Sequence, residues 1–211
     1  EKARQFPADV IVADLEDSVP QSEKGNARDI VAEMSHTLAN TDRKVMVRIN
    51  SFDTGLAFPD LSRITDDHLY GISVGKITSG DDLKQYDQML AVTEYDKHIP
   101  PGTLKIIAWI ENAKAIMNIR EITKASPRLL AIAFGAEDYT DDLGIERTDM
   151  GEEVYFARSV VGIAGHAAGL TTLDGPYVKF SDDKGLLEDI KTAQQLGYKG
   201  KFAIHPSQIL P

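Results

Sequence analysis

Two acidic residues stand where an apolar run stops and polar chain begins. Glu111 follows Ile106-Ile107-Ala108-Trp109-Ile110, and Glu137-Asp138 follows Leu129 to Phe134 across Gly135-Ala136. A pair of carboxylates suits a hard, oxygen-seeking cation such as Mg2+, which takes one or two carboxylates and leaves positions for water and substrate oxygens. If both runs are strands of one parallel sheet, their ends lie on the same face, and Glu111 can converge with Asp138 despite the distance in sequence. Each has a second reading. Glu111 opens Glu-Asn-Ala-Lys, where an acid favours a helix N-terminus through the dipole, and Asp138 is placed to cap a short turn over 139–143. The small pair Gly135-Ala136 admits close backbone approach, so the amides of Glu137 and Asp138 are candidates to donate to a substrate carboxylate.

Other strand ends carry chemistry of the same kind: Asp14, Glu16 and Asp17; Arg48 and Asn50; Lys76; Asp174; His205. Arg48 has the planar fork that captures a carboxylate through two parallel hydrogen bonds. It equally suits a structural role against the acidic turn Asp14-Leu15-Glu16-Asp17, with Lys24 and Arg28 as further counterions. Lys76 sits where a Schiff-base lysine could stand. That chemistry needs a deprotonated amine, and an acid-rich setting keeps lysine charged, so an electrostatic role is expected. His205, before Pro206, reads as a hydrogen-bonded structural group.

The elements that must position these residues are legible as apolar runs over 9–13, 44–49, 71–77, 104–110, 129–134, 171–173 and 201–204. Continuous rather than alternating apolarity marks strands covered on both faces, as in parallel sheets. Helical spacing fills the gaps: 23–38 with Ala27, Ile30, Val31 and Met34 on one stripe, then 82–92, 112–125, 153–168 and 183–196. Gly169 and Gly197 stand where helices end. Residues 1–6 read as the tail of a helix. Strand and helix alternating without a linker predict an α/β protein, a TIM (β/α)8 barrel forming one domain over residues 1–211. Seven strands are one short of eight, so the first strand is expected upstream of residue 1 and a closing segment beyond Pro211.

Composition narrows the chemistry. A net charge of -10 argues against nucleic acid or an anionic membrane as the main partner. The absence of cysteine excludes disulfides, thiolate catalysis and cysteine-bound metal. No apolar run approaches the roughly 20 residues of a membrane span, and the first residues are not a secretory signal; a cytoplasmic or organelle-matrix protein is expected. The sequence holds no Gly-x-Gly-x-x-Gly, no Walker loop, no Gly-x-Ser-x-Gly elbow and no His-Glu-x-x-His, which sets aside dinucleotide redox chemistry, nucleotide hydrolysis, serine hydrolysis and zinc proteolysis.

Taken in register with the strands, these pieces resemble the citrate lyase beta-chain family within the Mg2+-dependent acyl-CoA lyases and 2-hydroxyacid aldolases. The matching segments are Ala8 to Asp17 followed by Glu23-Lys24 and Ala27-Arg28, Val47-Arg48-Ile49-Asn50, Ile110-Glu111, Phe134 to Asp138, Leu173-Asp174-Gly175-Pro176 and Ile204 to Ile209. The resemblance spans the chain. It implies a TIM barrel assembled as trimers or multiples of them, Mg2+ on Glu111 and Asp138, and a 2-oxoacid carboxylate held by Arg48 and the Glu137 and Asp138 amides. Lys76 is expected to contribute charge to substrate binding, and Glu16 and Asp17 to orient metal-bound water. The implied reaction cleaves a 3-hydroxyacyl-CoA of the citryl-, malyl- or citramalyl-CoA type to acetyl-CoA and a 2-oxoacid such as oxaloacetate, glyoxylate or pyruvate. A CoA-independent aldolase on the same barrel and a non-catalytic carboxylate-binding subunit are the alternatives. Two departures stand out: Val74-Gly75-Lys76 replaces the family's Pro-Lys, and Asn112 replaces the threonine after the metal-binding glutamate.

Overall fold

Apolar runs of five or six residues dictate strands covered on both faces, and the computed structural model, which describes residues 5–39 and 43–210, contains them. The chain divides into two compact units, Glu1–Gly75 with Lys84–Ile107, and Lys76–Leu83 with Ala108–Pro211. In the first, β1 (Val10–Asp14), β2 (Lys44–Ile49) and β3 (Leu69–Val74) run parallel, with Val12 opposite Met46, Val47 opposite Ile72, and Asp14 opposite Arg48. Helices α1 (Lys24–Ala39) and α2 (Ala57–Ile64) make the connections. Met46, Val47, Ile49, Leu61, Ile64 and Ile72 are buried together in its core. Each such side chain removed from water contributes about 1.5–3 kcal/mol before entropy is counted.

The boundary between the units falls within α3 (Gly80–Asp96) and β4 (Lys105–Ile110). The second unit continues with α4 (Ala113–Met117), α5 (Ile119–Ile122), β5 (Leu129–Phe134), α6 (Ala136–Leu143), α7 (Glu152–Ala168), β6 (Thr171–Asp174), α8 (Asp183–Gln195) and β7 (Gly200–Lys201). β5, β6 and β7 are parallel neighbours. α7 ends as expected at Gly169, whose φ of 72° lets its amide reach back to Gly165 and His166. The strand order is β1 to β7 in sequence, the arrangement that right-handed βα connections produce. The result is an α/β fold on a seven-stranded sheet.

Several expectations need correction. No helix is expected from the sequence where α2 lies; its Pro59 is tolerated because it falls in the helix's first turn. The helix expected over 112–125 breaks at Asn118, which leaves helical geometry and donates its side-chain amide to Thr78 O. β3 stops at Val74, so Lys76 lies beyond the strand. The last strand keeps only Gly200 and Lys201; beyond it the Phe202 ring packs tilted on Trp109, with centroids 4.5 Å apart. Of the helical tail expected over 1–6, residues 1–4 lie outside the described ones. Among the described residues no helix is long and apolar enough to cross a membrane.

Candidate active site

The end of β1 in the first unit places three acids around one arginine. Asp14 and Arg48 are register partners on adjacent strands, so their side chains emerge on the same side. Arg48 closes a two-point fork on Asp14, with Nε 2.9 Å from Oδ1 and Nη2 2.5 Å from Oδ2. Its remaining terminal nitrogen, Nη1, reaches Glu16 at 3.2 Å and Asp17 at 3.3 Å. Burial works against the guanidinium's charge, but the bonds and field of Asp14, helped by Glu16 and Asp17, outweigh it and push the pKa up. Burial also pushes the Asp14 carboxyl up, yet hydrogen bonds from Arg48 and Ser18 hold it below its ordinary value. Both readings of Arg48 therefore have footing. It is the counterion of the acidic turn, and it remains a single strong cation facing three carboxylates.

The turn itself is held from below. Lys24 donates its ammonium to the carbonyls of Leu15 and Glu16, at 2.8 and 2.6 Å. Asn50 donates to Leu15 O and to Asp60, and the Asn50 backbone amide donates to the same Asp60 oxygen. Asp60 is fully buried, and its other oxygen accepts from Arg28. Lys24 and Arg28 are thus structural, as expected. Asp60 escaped the sequence reading because its helix did; a carboxylate flanked by Ala57, Leu61 and Ile64 was the available signal.

In the second unit Glu111 and Asp138 converge on one residue. Glu111 directly follows β4 and is only 5% exposed. Its Oε1 accepts the backbone amide of Lys76 at 2.6 Å, and the Lys76 ammonium lies 2.5 Å from Asp138 Oδ1. Lys76 adopts φ 56°, a left-handed conformation uncommon outside glycine. Gly135 is required for its size: a Cβ there would lie 2.7 Å from Glu111 Cβ and 2.9 Å from Glu111 Oε2. The sequence reading assigned this glycine to ligand approach; the structure adds that it makes room for the glutamate.

Asp138 does not cap a turn. It stands inside the first turn of α6, whose N-cap is Gly135, and there the helix dipole favours its charge. The amides of Glu137 and Asp138, in the same turn, lack acceptors within the helix. The Glu137 carboxylate turns toward Arg147, 3.3 Å from Nε, while Arg147 Nη1 holds Glu153 at 2.6 Å. Asn112 does the work of a threonine cap, accepting from Ala115 N, and also donates to Ile77 O beside Lys76.

Asp174, which ends β6, and His205, which lies beyond β7, are structural. Asp174 is buried in a network with Arg158 and Lys201, to which Asp189 adds a second acid. His205 caps the short turn Pro206–Gln208 and stacks on Phe180.

The donor set fits Mg2+. Glu111 and Asp138 supply hard oxygens around a residue whose ammonium already marks a place for positive charge. Among the described residues no group of three or more His, Asp or Glu is placed to hold a metal. The protein's share would be two carboxylates, the number Mg2+ commonly takes alongside water and substrate oxygens.

A model of the family described as HpcH/HpaI aldolase/citrate lyase matches residues 1–206. The citrate lyase subunit beta of Leuconostoc mesenteroides subsp. cremoris is 34% identical over 204 residues, covering 97% of this chain and 68% of that protein. The L-malyl-CoA/beta-methylmalyl-CoA lyase of Rhodobacter capsulatus is 33% identical over 230 residues, covering 99% of this chain and 72% of that protein. Among solved structures, a citrate lyase beta subunit from M. tuberculosis complexed with oxaloacetate and magnesium superposes with a TM-score of 0.77 at 28% identity, over 99% of this chain and 85% of that one.

Proposed function

The chain belongs to the HpcH/HpaI aldolase/citrate lyase family, a family of carbon–carbon lyases, and on that premise we propose that it is a Mg2+-dependent lyase of 3-hydroxyacyl-CoA thioesters. The product pair is acetyl-CoA and a 2-oxoacid of the oxaloacetate, glyoxylate or pyruvate type. The observation that carries the reading is the convergence of Glu111 and Asp138 on Lys76, two carboxylates held at one place by elements far apart in sequence.

In this reading Glu111 and Asp138 hold the metal, which when bound polarises the oxygen at the reacting carbon and favours its negative charge. Arg48, its fork held by Asp14, offers positive charge to the 2-oxoacid carboxylate and orients it. The free amides of Glu137 and Asp138 donate to the same kind of group. Glu16 and Asp17 orient water, and their contacts with Arg48 keep its fork in place. Lys76 adds a further positive charge for an anionic ligand. We further propose that residues 1–211 belong to one (β/α)8 barrel domain that assembles as a homo-oligomer, trimeric or a multiple of it. The consecutive strand order and the family membership support the barrel. Light scattering on the purified protein reads the assembly directly.

The test of function is calorimetric titration of oxaloacetate, then pyruvate, with Mg2+ and with excess EDTA. Binding that appears only with Mg2+ is expected, and the tighter oxoacid identifies the substrate class. Equal binding in EDTA would remove the metal from the reading. Titration with CoA then separates a thioester lyase from an aldolase that needs no CoA; the malyl-CoA lyase relative favours the former.

A further inference from the structure

Lys76 makes contacts that the metal reading leaves unexplained. It is one of two non-glycine residues among those described with positive φ, at 56°. That conformation carries a steric cost for any side chain with a Cβ. Here it directs the amide to Glu111 Oε1 and the ammonium to Asp138 Oδ1, so one residue bridges two carboxylates. The two contacts differ in kind. The amide is tied to a buried glutamate, whereas the ammonium pair is open to water, with 42% of the Lys76 side chain and 37% of Asp138 exposed. An ion pair this exposed is weak, and lysine is a point charge on a flexible stem that can move without disturbing its own backbone.

We propose that the Lys76 ammonium occupies, in the metal-free protein, the position on Asp138 that Mg2+ takes, and that the metal enters by displacing it. The inference rests on the assignment of Glu111 and Asp138 as metal ligands. The ammonium neutralises Asp138 while the site is empty. A divalent ion carries twice the charge onto the same oxygen and also engages Glu111, so it wins the exchange. Displacement leaves the ammonium near the metal, where it meets an anionic ligand. The amide bond to Glu111 involves only backbone of residue 76, so it survives the exchange and keeps the glutamate aimed.

Mg2+ titrated without oxoacid into the unsubstituted protein, Lys76→Met and Lys76→Arg tests the exchange. Methionine keeps the unbranched stem, the backbone amide and the same φ cost, and removes the ammonium. Lys76→Met is expected to bind Mg2+ about two- to fivefold more tightly, the fold-change that corresponds to loss of an exposed ion pair, with the gain shrinking as salt screens it. Lys76→Arg, which keeps the competing charge, is expected to show no such gain. Equal or weaker Mg2+ binding by Lys76→Met, with both proteins binding the ion, overturns the exchange and leaves the metal site standing. If none of the three binds Mg2+, the ligand assignment itself falls. Should Lys76→Met not fold, the unsubstituted protein gives the answer by NMR: the Lys76 ammonium resonance shifts on Mg2+ addition if it is displaced, and an unmoved resonance refutes the proposal.

Discussion

The Arg48 cluster and the Lys76 cluster solve the same problem, gathered negative charge, in opposite ways. Arg48 meets Asp14 through a two-point fork and two further acids through its remaining terminal nitrogen, with about a fifth of its side chain exposed. Lys76 meets Asp138 through one point contact with twice that exposure. The arginine is locked by a two-point fork, while the lysine ammonium meets Asp138 at one exposed point. A locked cation suits orienting a ligand, and a loosely held one suits exchange with another cation.

The sharpest way to break this contrast is Asp138→Asn, which removes one of two proposed metal ligands. Mg2+-dependent oxoacid binding is expected to disappear in calorimetry. Stability should change by no more than about 0.5 kcal/mol, because the side chain is partly exposed. Normal ligand binding by this variant would show the site assignment to be wrong.

Next in size is Arg48→Ala. If the guanidinium pairs with a desolvated substrate carboxylate, oxoacid binding weakens by about 2–5 kcal/mol. A loss below about 0.5 kcal/mol would return Arg48 to a purely structural role as the counterion of Asp14, Glu16 and Asp17. Gly135→Ala is a smaller and more local perturbation. The added methyl group would press on Glu111 from 2.7 Å and turn its carboxylate, so Mg2+ affinity is expected to fall by about tenfold or more. Unchanged affinity would show that Glu111 is not positioned by this contact.

The smallest expected effect is a pH dependence on the arginine side. The folded pKa of Asp14 lies below its ordinary value, so its contribution to stability is present above the unfolded carboxylate pKa and is lost as pH falls through the folded one. Urea midpoints measured from neutral pH downward should decline less steeply in Asp14→Asn than in the unsubstituted protein. Parallel declines would remove Asp14 from the acid response.

Particular residues show how far the sequence reaches. Glu111, Asp138, Arg48 and Lys76 were all identifiable because each lies at or near the end of an apolar run that reads as a buried strand. Lys24 and Arg28 were readable as counterions because they follow the acidic turn Asp14-Leu15-Glu16-Asp17. Asp60 was not, since its helix is disguised by Pro59 and its partners Arg28 and Asn50 come from distant segments. Arg147 was missed because its link to Glu137 forms only when the chain beyond α6 folds back. Gly135 was noticed but its contact with Glu111 was not, because no pattern in one segment states which side chain of another will need the space.

By itself, then, the amino-acid order determined the strand and helix alternation, the acidic and basic residues at the strand ends, and the family, since these depend on local periodicity and on residue type. Tertiary structure alone decided that Asp14 takes Arg48's fork, that Glu111 and Asp138 meet at Lys76, and that Lys76 adopts a left-handed backbone to bridge them. Those pairings join segments dozens of residues apart, and their distances are set by packing and strand register, which no local signal encodes.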